Sequence, residues 1–457
     1  MRLFAWQWLA TSSLLFGALA VNAETRPQYG GTLHVAMHAA LQSLDPSDPG
    51  QADSFARRNL SSLLFDKLVI TDEAGRVKPS LAESWQASNG NQRWQFRVRH
   101  GVTFHDGTPL SAEIAAASLR YANPSWTMTA ENDTVVIDCK TPNPGLLAEL
   151  SLPRNSIVRR DAGKGVDGTG PFSIVEWQPG KTLKLATEGN YWGGRAFVDS
   201  VEISMGRDYR DEMTALQLGR ADLIELAPEQ SQRISQQGVR VASSAPMELL
   251  AIVFSREVGS PEEKLLREAL ALSVERESIR RVLLQGVGQP AGSLLPTWMS
   301  GYGFLFSASA DLAKARLLRS QVHSVPTWKM GYDPSDTMSR LLAERIALNA
   351  KDAGLSLQPT SSATADMRLV RIPLASFDPW IALGELSAQT SVPPAKTNGG
   401  SVEELYAAEQ AALATERLIP LFHLPVTYAS ALRVRDWSVR ADGGWDLADA
   451  WLEAGTP

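Results

Sequence analysis

The sequence predicts an α/β protein with at least two lobes, and three observations carry that prediction. A chain of 457 residues exceeds the roughly 250–300 at which one hydrophobic core stops growing. Two stretches, 201–224 and 328–357, each read as strand, crossover helix and parallel strand, so each half should hold its own α/β sheet. Residues 93–113, RWQFRVRHGVTFHDGTPLSAE, alternate apolar and polar positions, reverse at a glycine and end in helix-capping chemistry.

In that last segment Trp94, Phe96 and Val98 share one face of a strand. His100-Gly101 permits a reversal, Val102 and Phe104 start a second short strand, and HDGTP is a turn. Ser111 then caps a helix over 112–122 that carries Glu113 in its positive first turn. Nearer the N-terminus, Leu33, Val35 and Met37 mark a strand, Asp45-Pro46 turns the chain, and a helical run covers about 53–66. Strands follow at 134–137 and at 172–177, the second entered through the glycine-rich turn DGTGPF. In the first crossover unit a helix from Tyr209 to Leu218 stops at Gly219. In the second, a helix spans 336–352 before Gly354. Between them Ser260-Pro261-Glu262-Glu263 starts a helix, with Glu263 placed to complete a capping box. That pattern breaks near Glu275 and stops at Gly286.

Composition narrows the partners. The net charge of −6, from 44 basic and 50 acidic residues, supplies no basic patch for nucleic acid. Residues 1–23 read as a secretory signal: Arg2 precedes an apolar run shorter than the ~20 residues a membrane span needs, and Val21-Asn22-Ala23 suits cleavage. Cys139 is the single cysteine, so the expectation is a soluble periplasmic protein with no disulfide and no lipid anchor.

Catalytic patterns fail on their context. Gly163, Gly165 and Gly168 match GxGxxG but precede a strand rather than a helix, and neither GxSxG nor GxxxxGK[ST] occurs. His34 and His38, four residues apart on a strand, stand roughly 13 Å apart, too far to share a metal. His100 and His105 flank the hairpin and read as surface or turn residues, and His423 reads as a hydrogen-bonded core histidine. Of the 13 tryptophans, Trp94 and Trp177 fit strand cores, whereas Trp298 and Trp380 follow prolines in loop contexts that suit a pocket wall as well as packing. Neither an enzyme nor a cofactor is expected.

Several segments in order carry a resemblance: GGTLHVAM with SLDP, LLFDKLVITDEAGRVKPSLAESWQ, the 93–113 stretch, DGTGPFSIVEWQPG, EGNYWGG, LLREALALSVERESI, and IPLFHLP with LRVRDWSV. Over nearly all of 28–455 the chain resembles the peptide/nickel/oligopeptide class (family 5) of extracytoplasmic solute-binding proteins that serve ABC transporters. The resemblance implies a two-lobed periplasmic-binding-protein fold with mixed sheets, closing like a Venus flytrap, its first lobe discontinuous. The first lobe would span 24–245, with a subdomain about 47–165, and return at 418–457; the second would span 246–417. It also implies a monomer that captures a peptide-like or other small solute between the lobes and delivers it to membrane permease subunits. A transport-uncoupled sensor or scaffold and a nickel or metal-chelate binder are the alternatives.

By motif position the resemblance places Ala40, Leu41, Gln42 and Ser43, then Phe254 and Ser255 on the hinge strand, then Trp298, Arg371, Ser376, Asp378 and Trp380 at the ligand. The chain departs from the family pattern in shorter segments at 121–134 and 380–403. It departs again where peptide-binding members carry an aspartate that holds the terminal ammonium and a tryptophan three residues earlier. Ala375 and Ile372 stand there in an ungapped alignment, and a shifted one would bring Asp366 or Asp378 into the role. An enclosed ammonium without its counter-charge loses about 3–5 kcal/mol, so zwitterionic peptides are unexpected ligands.

Overall fold

The computed structural model describes residues 26–51, 53–161, 165–392 and 399–453. The expected leader, 1–23, and Gly163 lie outside them. Ten strands join one hydrogen-bonded path, in the order Phe172–Gln178, Thr182–Thr187, Ser200–Ser204, Thr32–Ala36, Leu223–Leu226, Leu418–Ser430, Arg240–Phe254, Met367–Pro373, Thr327–Gly331 and Ser356–Thr360. Each half holds α/β sheet as expected, and the two are continuous. The long antiparallel strands Arg240–Phe254 and Leu418–Ser430 pass through both lobes and splice their sheets into one.

Each end of that pair belongs to a different core. Tyr428 packs with Leu33, Val35, Val201 and Trp445 in the first lobe. Ile252, Phe254, Ile419 and Phe422 pack with Leu266, Trp328 and Ile346 in the second. Between these ends the ladder breaks register on both sides of Pro246, which stands opposite Pro425. Proline supplies no ladder N–H, so facing prolines leave a weak point where the chain crosses between lobes.

The second crossover unit forms as expected, with Thr327–Gly331 parallel to Ser356–Thr360 and helix Thr337–Asp352 capped by Asp336. The first has an unforeseen insertion: strand Thr32–Ala36 lies between Ser200–Ser204 and Leu223–Leu226, parallel to both. Helix Tyr209–Gln217 thus crosses over a strand from the N-terminus of the chain.

Residues 82–138 build a four-stranded antiparallel sheet on which helix Ala112–Ala122 packs. Trp94, Phe96 and Val98 all face its core, and Ser111 Oγ accepts the Ile114 N–H at the helix start. The expected strand at Val102 and Phe104 does not form. Phe104 N–H donates to Thr108 O at 2.8 Å, closing the HDGT turn too soon for more than a single bridge between Thr103 and Pro109. The glycine-rich turn is a contact point: a Cβ at Gly168 or Gly170 would collide with the backbone at Leu63 and Leu64. No helix follows it, so it cradles no phosphate. At Ser260 the capping box is displaced by one residue, because Glu263 accepts from Gly259 N–H and pairs with Arg267.

Candidate ligand cleft

The strand Met367–Pro373 and the turn after it, through Phe377, form one wall of a series of cavities facing the first lobe. At the end nearer the hinge, Arg371 is flanked by Glu248 and Asp336, each with a carboxylate oxygen 3.5 Å from its guanidinium. The first lobe supplies the opposite wall: His38, Tyr209 and Glu225. Glu225 is held by the His38 N–H at 2.8 Å, and the His38 ring stacks on Tyr209 at 4.7 Å. Burial pushes the Glu225 and Glu248 carboxyls up from their ordinary range. Burial also opposes the charge of Arg371, but the fields of Glu248 and the surrounding acids outweigh it and keep the arginine ionised.

Two further cavities lie beside Ala375 and share Ala375 and Pro153 as walls. One, of about 280 Å³, is lined by Asp48, Asp53, Arg57, Arg154 and Glu385. The other, of about 60 Å³, is lined by Arg58, Lys67, Arg440, Asp442, Phe377 and Trp445. The lobes touch here. Arg58 Nη1 donates to Leu374 O at 2.8 Å, and Arg154 Nη1 stands 2.8 Å from Glu385 Oε1.

Of the residues expected at the ligand, Arg371 and Ser376 line these cavities. The segment at 40–43 does not; its flanks do, through His38 and Ala39 on one side and Pro46 to Asp48 on the other. Ala40 and Gln42 are exposed, Leu41 turns into the first-lobe core, and Ser43 Oγ accepts the Asp45 N–H. Phe254 and Ser255 sit at the far end of their strand. Phe254 is buried beneath the Arg267 guanidinium, and Ser255 Oγ donates to Ala365 O. On that strand it is Glu248 that reaches the cleft.

Asp378 is committed elsewhere, since its Oδ1 accepts the N–H groups of Trp380 and Ile381 as the cap of helix Pro379–Thr390. Asp366 Oδ2 accepts the Lys329 N–H at 2.7 Å, and neither aspartate lines the two cavities beside Ala375. Trp380 is packing, buried among Leu383, Leu386 and Leu405. Trp298 remains exposed, edge-on to Phe377 at 5.8 Å, outside the cavities. Ile372 is core.

Three histidines pair with separate carboxylates: His34 with Glu202, His100 with Asp133 and His105 with Asp167. His423 Nε2 meets Leu294 O inside the protein, and burial pushes its pKa down to about 4. Among the described residues no cluster of His, Cys, Asp or Glu suits a metal ion.

Residues 76–371 match the family described as bacterial extracellular solute-binding proteins, family 5 Middle. The chain belongs to this family. Within family 5, it is 24% identical over 277 residues to the nickel-binding protein NikA of Staphylococcus aureus, covering 56% of each chain. The chain spans little more than half the length of the first curated relatives it matches. Solved structures of family 5 share the fold. A dipeptide-binding protein from Pseudoalteromonas, bound to Met-Leu, superposes with a TM-score of 0.81 at 15% identity over 93% of this chain and 100% of that one. AgaA of Agrobacterium tumefaciens R10, bound to agropinic acid, superposes with a TM-score of 0.77 at 19% identity over 93% and 99%. The fold is the two-lobed periplasmic-binding-protein fold with mixed sheets, and family 5 proteins act outside the cytoplasm. Among the described residues no helix is long and apolar enough to cross a membrane.

Proposed function

We propose that this chain is the solute-capturing component of an ABC importer, exported by its N-terminal leader and working in the periplasm without a lipid anchor, as a monomer. One lobe comprises 24 to about 245 and the return of the chain from about 425, the other the residues between, since Ile419 and Phe422 pack in the second core. The observation that carries the reading is a cleft walled from both sides, with Arg371 and Ala375 on one and Glu225, Arg58 and Lys67 on the other. A solute touching both walls favours the closed arrangement, and only that difference in affinity drives closure. Closed receptor is then the form a permease distinguishes from the empty one. The chain carries no reaction of its own and needs neither cofactor nor nucleic acid.

Its solute is a small polar molecule other than a zwitterionic peptide. Relatives are named for nickel or were solved with Met-Leu and agropinic acid, so the family fold itself sets no single ligand class. At position 375 a methyl group stands beside cations, which repels a terminal ammonium. Native mass spectrometry of protein purified from its own host should reveal a retained small solute. Calorimetric titration with a di- and tripeptide library should give no tight binding. Tight binding that requires a free amino terminus would overturn the exclusion of peptides. An empty cleft that binds no small molecule would overturn solute capture.

A further inference from the structure

Five cations surround the two cavities beside Ala375, and their partners differ. Arg58 pairs with Asp53, Arg154 with Glu385, and Arg440 with Asp442. Two, Lys67 and Arg57, have no carboxylate at ion-pair distance among the described residues. Lys67 Nζ has one bond, to Ser151 O at 2.8 Å. Its neighbour Asp66 is engaged by Thr169, Tyr191 and Trp192. Arg57 donates to the carbonyls of Gln51, Pro46 and Asp48, and its buried Nε has no acceptor among the described residues. Unpaired cations inside a protein are costly, and sites that keep them are placed to receive negative charge.

We propose that the small cavity beside Ala375 receives an oxyanion of the solute, a carboxylate or a phosphate, met by Lys67 and seconded by Arg440. The inference rests on the solute-capture reading above and names the chemical class of the solute. The cavity of about 60 Å³ has room for one such group and little more. The body of the solute lies across Ala375 and Pro153, in the cavity of about 280 Å³ lined by Arg57 and Arg154. Both cations belong to the first lobe, and the second closes over the cavity with Ala375, Ser376 and Phe377.

Burial, with Arg440 next, holds the Lys67 pKa down to about 8, against the opposing fields of Asp442 and Asp66 and with Arg58 adding to the depression. Lys67 is therefore cationic below that pH and loses its charge above it, while Arg440 keeps its own. An incoming anion binds the protonated form, so its affinity falls as pH rises past about 8.

The test titrates the full chain with glutarate and glycerol 3-phosphate, their neutral counterparts glutaramide and glycerol, and cadaverine as a cation, by calorimetry at pH 7. Native mass spectrometry of host-purified protein runs alongside. At least one anion should bind tenfold or more tighter than its neutral counterpart. Lys67→Met should lose that margin and Lys67→Arg keep part of it. The melting temperature of ligand-free Lys67→Met should equal or exceed that of the wild type, because an unpaired cation has been removed; a merely structural lysine would lower it. Carboxylate and phosphate arms decide between the two oxyanions. Equal binding of glutaramide or cadaverine, or glutarate binding unchanged in Lys67→Met, overturns the oxyanion site while a host-retained solute would leave solute capture standing. Failure of every probe together with an empty mass spectrum overturns both.

Discussion

Glu212 is fully buried, with one oxygen accepting the Glu225 N–H and the other without a partner. Burial, aided by Glu225, pushes its pKa up to about 10. Between its ordinary pKa near 4.5 and about 10 the folded state keeps a proton that the unfolded chain releases, so stability drains away as pH rises through that window. Glu212→Gln mimics the protonated form. Its melting temperature should match the wild type near pH 4.5 and exceed it at pH 8, a gain of roughly 2–4 kcal/mol. Thermal melts across that range check it, and parallel curves would refute it. Such residues are hard to read in a sequence. Glu212, Lys67 and Arg440 each look like one more solvated charge, because what defines them is a neighbour hundreds of residues away. Arg371, placed at the ligand by motif position, lines a cavity, whereas Asp378 caps a helix, a role that an aspartate before proline suits as well as it suits a ligand contact.

Elements read better than sites, for a physical reason. A cap is decided within four residues, and Ser111 and Ser260 cap as their sequences say. A buried strand face is decided by alternation, as at 93–98. Reading fails where pairing is non-local: nothing near 201–224 announces that residues 32–36 will lie between its two strands. The same holds for the facing Pro246 and Pro425, which mark the crossing between lobes only once Arg240–Phe254 and Leu418–Ser430 are paired. Replacing both with valine would offer two new ladder donors at the crossing and stiffen it. The double variant should bind solute at similar affinity within about tenfold but several times more slowly, because closure gates capture. Stopped-flow tryptophan fluorescence checks this, and unchanged rates would place the bending elsewhere.

For the molecule as a whole, length and repeated crossover units were enough to announce two lobes, and ordered motifs were enough to announce the family. The cleft was not legible, because its charge pattern exists only when segments near 60, 370 and 440 meet. One interlobe contact is directly testable. Arg154 and Glu385 are each about one-third exposed, so their ion pair is worth no more than about 1 kcal/mol after solvent screening. Arg154→Ala should therefore weaken solute binding by no more than about fivefold, with most of the difference vanishing in high salt. A larger loss that persists in salt would mean Arg154 touches the solute. The shared pair of long strands has a further consequence, for unfolding. Two cores in a chain of this length ordinarily melt as separate units. Here neither core can come apart without stripping the hydrogen-bonded edge from the other, since Tyr428 anchors one end of a strand whose Ile419 and Phe422 anchor the opposite end. Calorimetry of the ligand-free protein should show one cooperative transition, and amide exchange along 247–254 and 418–424 should be as slow as global unfolding allows.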